Sequence, residues 1–213
     1  MKEIYFITAT NTNVGKTKAC EVFLKEFSSK NKKVGYFKPI ETGVLNNPED
    51  GTIMFELTKS LNKDFEQLSI NDIVPYQFKL PAAPYVANKE HIDININFIK
   101  EKINYLQTFC DVLIIEGAGG LYVPIKKDYF MHDLIKDINP TNTFLIVPSQ
   151  LGSINETMLN IDFLTKNKIK FQWYINLYKD KKEFENITLP FYNAYFDKIS
   201  FLQNHPIKNS LNN

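Results

Sequence analysis

Residues 4–17 read IYFITATNTNVGKT: a short apolar run, a polar turn, then Gly15-Lys16-Thr17. The common phosphate-loop pattern G-x-x-x-x-G-K-[ST] asks for glycine at position 10, where this chain has Thr10. A phosphate needs converging backbone N–H groups, a helix N-terminus, a cation and a hydroxyl for Mg²⁺. A strand over 4–7 followed by a helix starting near Lys16 supplies the first two. Lys16 and Thr17 supply the others. The plainer alternative is a Thr/Asn-rich turn that caps a helix, with Lys16 merely solvated. The strand–turn–helix context favours phosphate.

The same alternation continues along the chain. The runs IYFI (4–7), VGYF (34–37), VLII (112–115), TFLIV (143–147) and FQWYINL (171–177) read as buried strands. Helices are expected over 16–30, with Cys20, Phe23, Leu24 and Phe27 on one stripe, and over 95–108, with Ile96, Ile99, Ile103 and Leu106. Further helices are expected near Asp133, near Ser153 and, short, over 52–61. The order predicts an α/β fold: one domain over 1–213, with a mostly parallel sheet flanked by helices on both faces. Residues 43–90 read as irregular, with LPAAPYVA (80–87) held extended by its prolines. The last residues, from about 206, read as frayed.

Composition narrows the function. A formal net charge of +1 argues against a surface built for nucleic acid. No apolar stretch approaches the roughly 20 residues that span a bilayer. Cys20 and Cys110 form no C-x-x-C and read as buried core residues, which suits a reducing cytoplasm.

Two further stretches carry chemistry. DVLIIEGAGG (111–120) ends a buried strand in Glu116, at the edge where phosphate-loop enzymes hold Mg²⁺. Its glycines, Gly117, Gly119 and Gly120, let backbone approach a ligand closely. YFKPIETG (36–43) places Lys38 at the end of the second strand, aimed at the edge that carries Lys16 and Glu116, with Thr42 and Gly43 in the next turn. A helix-capping Glu116 and a surface Lys38 are the bland alternatives.

Together, TATNTNVGKT, YFKPIETG and VLIIEGAGG resemble the dethiobiotin synthetase family. That family's loop has the form G-T-x-T-x-V-G-K-T, one residue longer between glycines, so its leading small residue falls on Ala9. LPAAPYVA resembles the family's Pro-rich substrate loop, and PSQLGSINETML (148–159) its segment after the next strand. The match is good over residues 4 to about 160.

The resemblance implies an ATP-dependent ligase that carboxylates 7,8-diaminopelargonate with CO₂ and closes it to a cyclic urea. It implies Lys16 and Lys38 as catalytic residues, with Thr17, Asp50 and Glu116 around Mg²⁺. ATP would meet Asn13, Val14, Gly15, Lys16, Thr17, Lys18, Asp50, Glu116, Gly117, Ala118, Gly119 and Asn176. The diamine would meet Thr12, Lys38, Thr42 and Pro81. Leu151, Gly152 and Asn155 would reach its carboxylate end from the partner of a homodimer. The segment NPEDGTIMF matches the family only through an acid, so Glu49 is the alternative to Asp50.

Three departures stand out: Ala9 for the leading glycine, Asn13 for an acidic residue, and TLPFYN (188–193) for the family's base-holding segment. A MinD/ParA-type regulatory ATPase would share the fold but carries a second lysine early in the loop, where this chain has Thr10, Asn11 and Thr12. An amidotransferase of cobyrinate chemistry would need a further domain. A non-enzymatic nucleotide-binding module would leave Lys38 without a purpose.

Overall fold

A computed structural model describes residues 2–178 and 180–204. The first half runs β1 (Glu3–Ala9), α1 (Lys16–Ser29), β2 (Val34–Phe37), β3 (Ile40–Thr42), α2 (Glu49–Leu61), α3 (Ile70–Ile73), β4 (Tyr76–Phe78) and α4 (Pro84–Ala87). It continues through α5 (Ile96–Leu106), β5 (Val112–Glu116), β6 (Pro124–Lys126), β7 (Tyr129–Phe130), α6 (Met131–Ile138) and β8 (Asn142–Pro148). The last elements are α7 (Ser153–Lys166), β9 (Phe171–Asn176), α8 (Lys181–Glu183) and α9 (Leu189–Tyr195). The tail expected to fray from about 206 lies outside the described residues.

Five strands form one sheet in the order β2-β5-β1-β8-β9, all parallel. Every residue of β2, β5 and β8 is buried. Alternate side chains of a strand point to opposite faces, so burial of all of them means that both faces are covered. The chain leaves the central β1 towards β2 and later adds β8 and β9 on the other side. That reversal marks the carboxyl edge of β1 and its neighbours as the place for a ligand.

Core packing follows the apolar stripes. On α1, Cys20, Phe23, Leu24 and Phe27 are buried, and the Phe23 ring lies 4.4 Å from that of Phe144 on β8. On α5, Ile99, Ile103 and Leu106 are buried, with Ile96 at the margin. Both cysteines are free and buried. No helix among the described residues is long and apolar enough to cross a membrane.

Several boundaries differ from expectation. The helix expected over 52–61 begins at Glu49, because the Glu41 carboxylate on β3 accepts the N–H groups of Asp50 (3.1 Å) and Gly51 (2.9 Å). That cap comes from another element, and Pro48 at the cap position has no side-chain acceptor. The Pro-rich loop is extended only in its first half. Pro84 opens one helical turn, because its fixed φ suits the first position and its missing N–H costs nothing there. Residues 181–195 are helical, with a π-turn over Phe184–Thr188 leading into α9. Strands β3 and β4 pair in parallel beside the main sheet, within the stretch expected to be irregular.

Candidate functional site

The turn from β1 to α1 sits at the carboxyl edge of the sheet. Ala9 ends β1 and lies outside the positive-φ residues, so the absence of a leading glycine there costs no backbone strain. Asn13 adopts φ 57°, a left-handed conformation that asparagine tolerates better than most residues. Gly15, at φ 104°, caps α1, and a Cβ on it would run into the Asn176 side-chain amide. Gly15→Ala is therefore expected to cost about 1–3 kcal/mol of stability and to weaken phosphate binding, read by denaturant titration and by ADP calorimetry.

Five side chains meet beside this loop. Glu116, 1% exposed at the end of β5, receives the Lys38 Nζ at 2.7 Å and the Thr17 hydroxyl at 3.0 Å on Oε1. Its Oε2 accepts the Tyr36 hydroxyl at 2.9 Å. Lys38 Nζ also donates to Asp50 Oδ2 at 2.8 Å. Burial alone would lower the Lys38 pKa, but Glu116, Asp50 and Glu41 together hold it above the ordinary lysine value. Lys16, 8% exposed, donates to the Asn11 carbonyl at 3.2 Å. Burial pulls its pKa below the usual value, against the pull of Glu116 and with the help of Lys38. Burial is also the main reason the Glu41 carboxyl titrates above its usual range.

These groups line a cavity of about 630 Å³. Its walls include Thr12, Asn13, Gly15, Lys16 and Thr17 from the loop, and Lys38, Thr42, Asp50 and Pro81 from the stretch that follows α1. Glu116, Gly117, Ala118 and Gly119 close the opposite side. Among the described residues, no three His, Cys, Asp or Glu side chains form a metal cluster. Asp50 and Glu116 nevertheless flank one buried cation, the Lys38 ammonium, and Thr17 bonds the same Glu116 oxygen that Lys38 does. Such a hard, oxygen-only set suits Mg²⁺, which keeps few protein ligands and takes the rest from water and phosphate.

A family model described as an AAA domain matches residues 3–176. The chain is 48% identical over 191 residues to the ATP-dependent dethiobiotin synthetase BioD of Sulfurovum sp. (strain NBC37-1), covering 90% of each chain. It is 35% identical over 189 residues to the protein of that name from Wolinella succinogenes, covering 88% of this chain and 87% of the other. This chain belongs to the dethiobiotin synthetase family. A plasmid partition protein from Borrelia burgdorferi aligns with a TM-score of 0.56 at 14% identity, over 93% of this chain and 87% of that one. At that identity the likeness concerns the fold alone.

Several residues expected at the dethiobiotin synthetase site lie off this cavity. The Val14 side chain packs into the core, and Lys18 points outward and pairs with Glu21 at 2.9 Å. Asn176 is buried and bonded to the Val14 carbonyl at 2.9 Å, off the cavity wall. Leu151, Gly152 and Asn155 are exposed around the start of α7, outside the cavity formed by one chain. Between the two candidate acids, Asp50 lines the cavity and Glu49 does not.

Sequence reasoning missed Glu41 and Tyr36. Tyr36 stands two residues before Lys38, and that spacing puts both on one side of an extended chain. Glu41 lay inside a motif already quoted, yet its role as a cap for α2 needs the fold. The glycine-rich turn also does more than admit a ligand. A Cβ on Gly120 would sit 3.0 Å from the Thr10 carbonyl oxygen and 3.1 Å from that of Ala9, so this glycine lets the turn lie against the phosphate loop.

Proposed function

We propose that this chain joins CO₂ to 7,8-diaminopelargonate at the expense of ATP, giving dethiobiotin, ADP and phosphate. The observation that carries this reading is the 48% identity, over 90% of both chains, to a relative named for that activity. The convergence of Lys16, Lys38, Thr17 and Glu116 on one cavity supplies the chemistry.

An amine of the substrate takes up CO₂ as a carbamate, whose oxygen attacks the γ-phosphorus of ATP. The neighbouring amine then displaces phosphate and closes the urea ring. Phosphoryl transfer of this kind needs positioning and charge neutralisation more than covalent help from the protein. An ammonium has three N–H donors, and Lys38 spends two on Asp50 and Glu116. The third remains for an oxygen of the carbamate or the transferring phosphoryl group. Lys16, at the helix N-terminus, holds the β- and γ-phosphates. Thr12 and Thr42 offer hydroxyls to the diamine, and Pro81 an apolar wall to its alkyl chain.

Thr17, Asp50 and Glu116 would hold Mg²⁺. The ion supplies neutralisation of phosphate charge when bound. Leu151, Gly152 and Asn155 complete the site of a second copy in a homodimer. A sedimentation mass of one chain would overturn that arrangement.

The decisive assay supplies ATP, Mg²⁺, labelled bicarbonate and 7,8-diaminopelargonate. Acid-stable label in a cyclic urea is the expected result. ATP hydrolysis indifferent to the diamine would overturn the reading.

A further inference from the structure

The peptide planes of the phosphate loop are held from behind by the end of β9. The Tyr178 hydroxyl donates to the Asn13 carbonyl at 3.0 Å. Two residues earlier, the Asn176 amide donates to the Val14 carbonyl at 2.9 Å. Asn176 is itself held, since its Oδ1 accepts from Gln203 Nε2 at 2.8 Å, and Gln203 accepts the Leu177 N–H at 3.2 Å. Two consecutive carbonyls, those just before Gly15-Lys16-Thr17, are thus tied towards β9.

That restraint has a geometric consequence. Every described peptide is trans, and a trans peptide points its C=O and the following N–H in opposite directions. Holding the Asn13 carbonyl towards Tyr178 turns the Val14 N–H away from β9. Holding the Val14 carbonyl towards Asn176 does the same for the Gly15 N–H. Asn13, Gly15 and Lys16 of the same loop line the cavity. Converging N–H groups of this kind form an anion-binding concavity.

We propose that Tyr178 is a positioning residue for phosphate binding, holding the Asn13–Val14 peptide so that its N–H faces the anion. The inference rests on the reading of the loop as the ATP-phosphate site. Tyr178 is partly exposed, and Tyr178→Phe removes only the hydroxyl.

Two probes separate its role from that of a nucleobase contact: tripolyphosphate, which has no base, and ADP, each titrated with Mg²⁺ into the full chain. Tyr178→Phe is expected to weaken both by about five-fold, the worth of one net hydrogen bond. KM for ATP should rise by a similar factor at unchanged kcat, a split that general destabilisation does not produce. Unchanged tripolyphosphate affinity overturns the proposal, and a loss confined to ADP makes Tyr178 a base contact instead. A wild-type chain that binds neither probe overturns the phosphate reading of the loop itself, a failure distinct from that of the variant.

Discussion

Lys38→Met is expected to lower kcat by about 10²–10³-fold, the usual cost of deleting one preorganised donor aimed at developing charge. The methionine fills much the same space but brings no N–H to the transferring group. Stability should fall less than the burial of Glu116 suggests, because Glu116 keeps two donors, the hydroxyls of Tyr36 and Thr17. Steady-state kinetics at saturating ATP and diamine, with ADP titration alongside, separates the two effects. Wild-type turnover in this variant would make Lys38 a structural counter-ion only. The pH behaviour of the wild type follows from the same contacts. The folded pKa of Lys38 lies above its unfolded value, so its contribution to stability is complete below about 10.4 and is lost only as pH rises through the higher folded value. No change in rate between about pH 6 and 9 should therefore come from deprotonation of Lys38.

What was legible in the sequence is what the chain encodes locally. Continuous apolar runs marked the five strands of the main sheet, because a parallel strand covered on both faces has no polar positions to confuse the pattern. The phosphate loop, Glu116 and Lys38 were legible because each stands at the end of such a run. The groups that tune them were not. Tyr36 meets Glu116 across 80 residues, and Tyr178 meets Asn13 across 165. Neither contact leaves a local trace, since a tyrosine in a strand or loop is ordinary composition. Glu41 shows the same blind spot from the other side. Its carboxylate starts α2 and so sets where Asp50 points, yet a helix whose own cap position holds proline announces no start in sequence. The dimer contact expected of Leu151, Gly152 and Asn155 would involve a second chain, and a single chain leaves them exposed.

Glu116→Ala is expected to be the most destabilising substitution at the site, at about 3–5 kcal/mol, because it breaks a buried ion pair by removing one partner. The Lys38 ammonium, whose side chain is 6% exposed in the intact site, would keep only Asp50 as an ion-pair partner, and that side chain is 46% exposed and gives a weaker, screened pair. The hydroxyl of the fully buried Tyr36 would lose the carboxylate that accepts from it, adding the cost of an unmet donor. Thr17 would lose the carboxylate that orients its hydroxyl. Urea denaturation measures the total. The informative control is Asp50→Asn, which removes charge from the open side of the same cluster. It should leave the denaturation midpoint within about 1 kcal/mol of wild type, since a half-exposed pair contributes little, while reducing the response of turnover to Mg²⁺. If the two substitutions were equally destabilising, Lys38 would depend on both acids alike, and the division of labour between a buried anchor and an exposed, exchangeable acid would be wrong. The asymmetry matters for catalysis. A lysine fixed by Glu116 alone can loosen its hold on Asp50 when phosphate arrives, and so stay in place while its neighbours change partners.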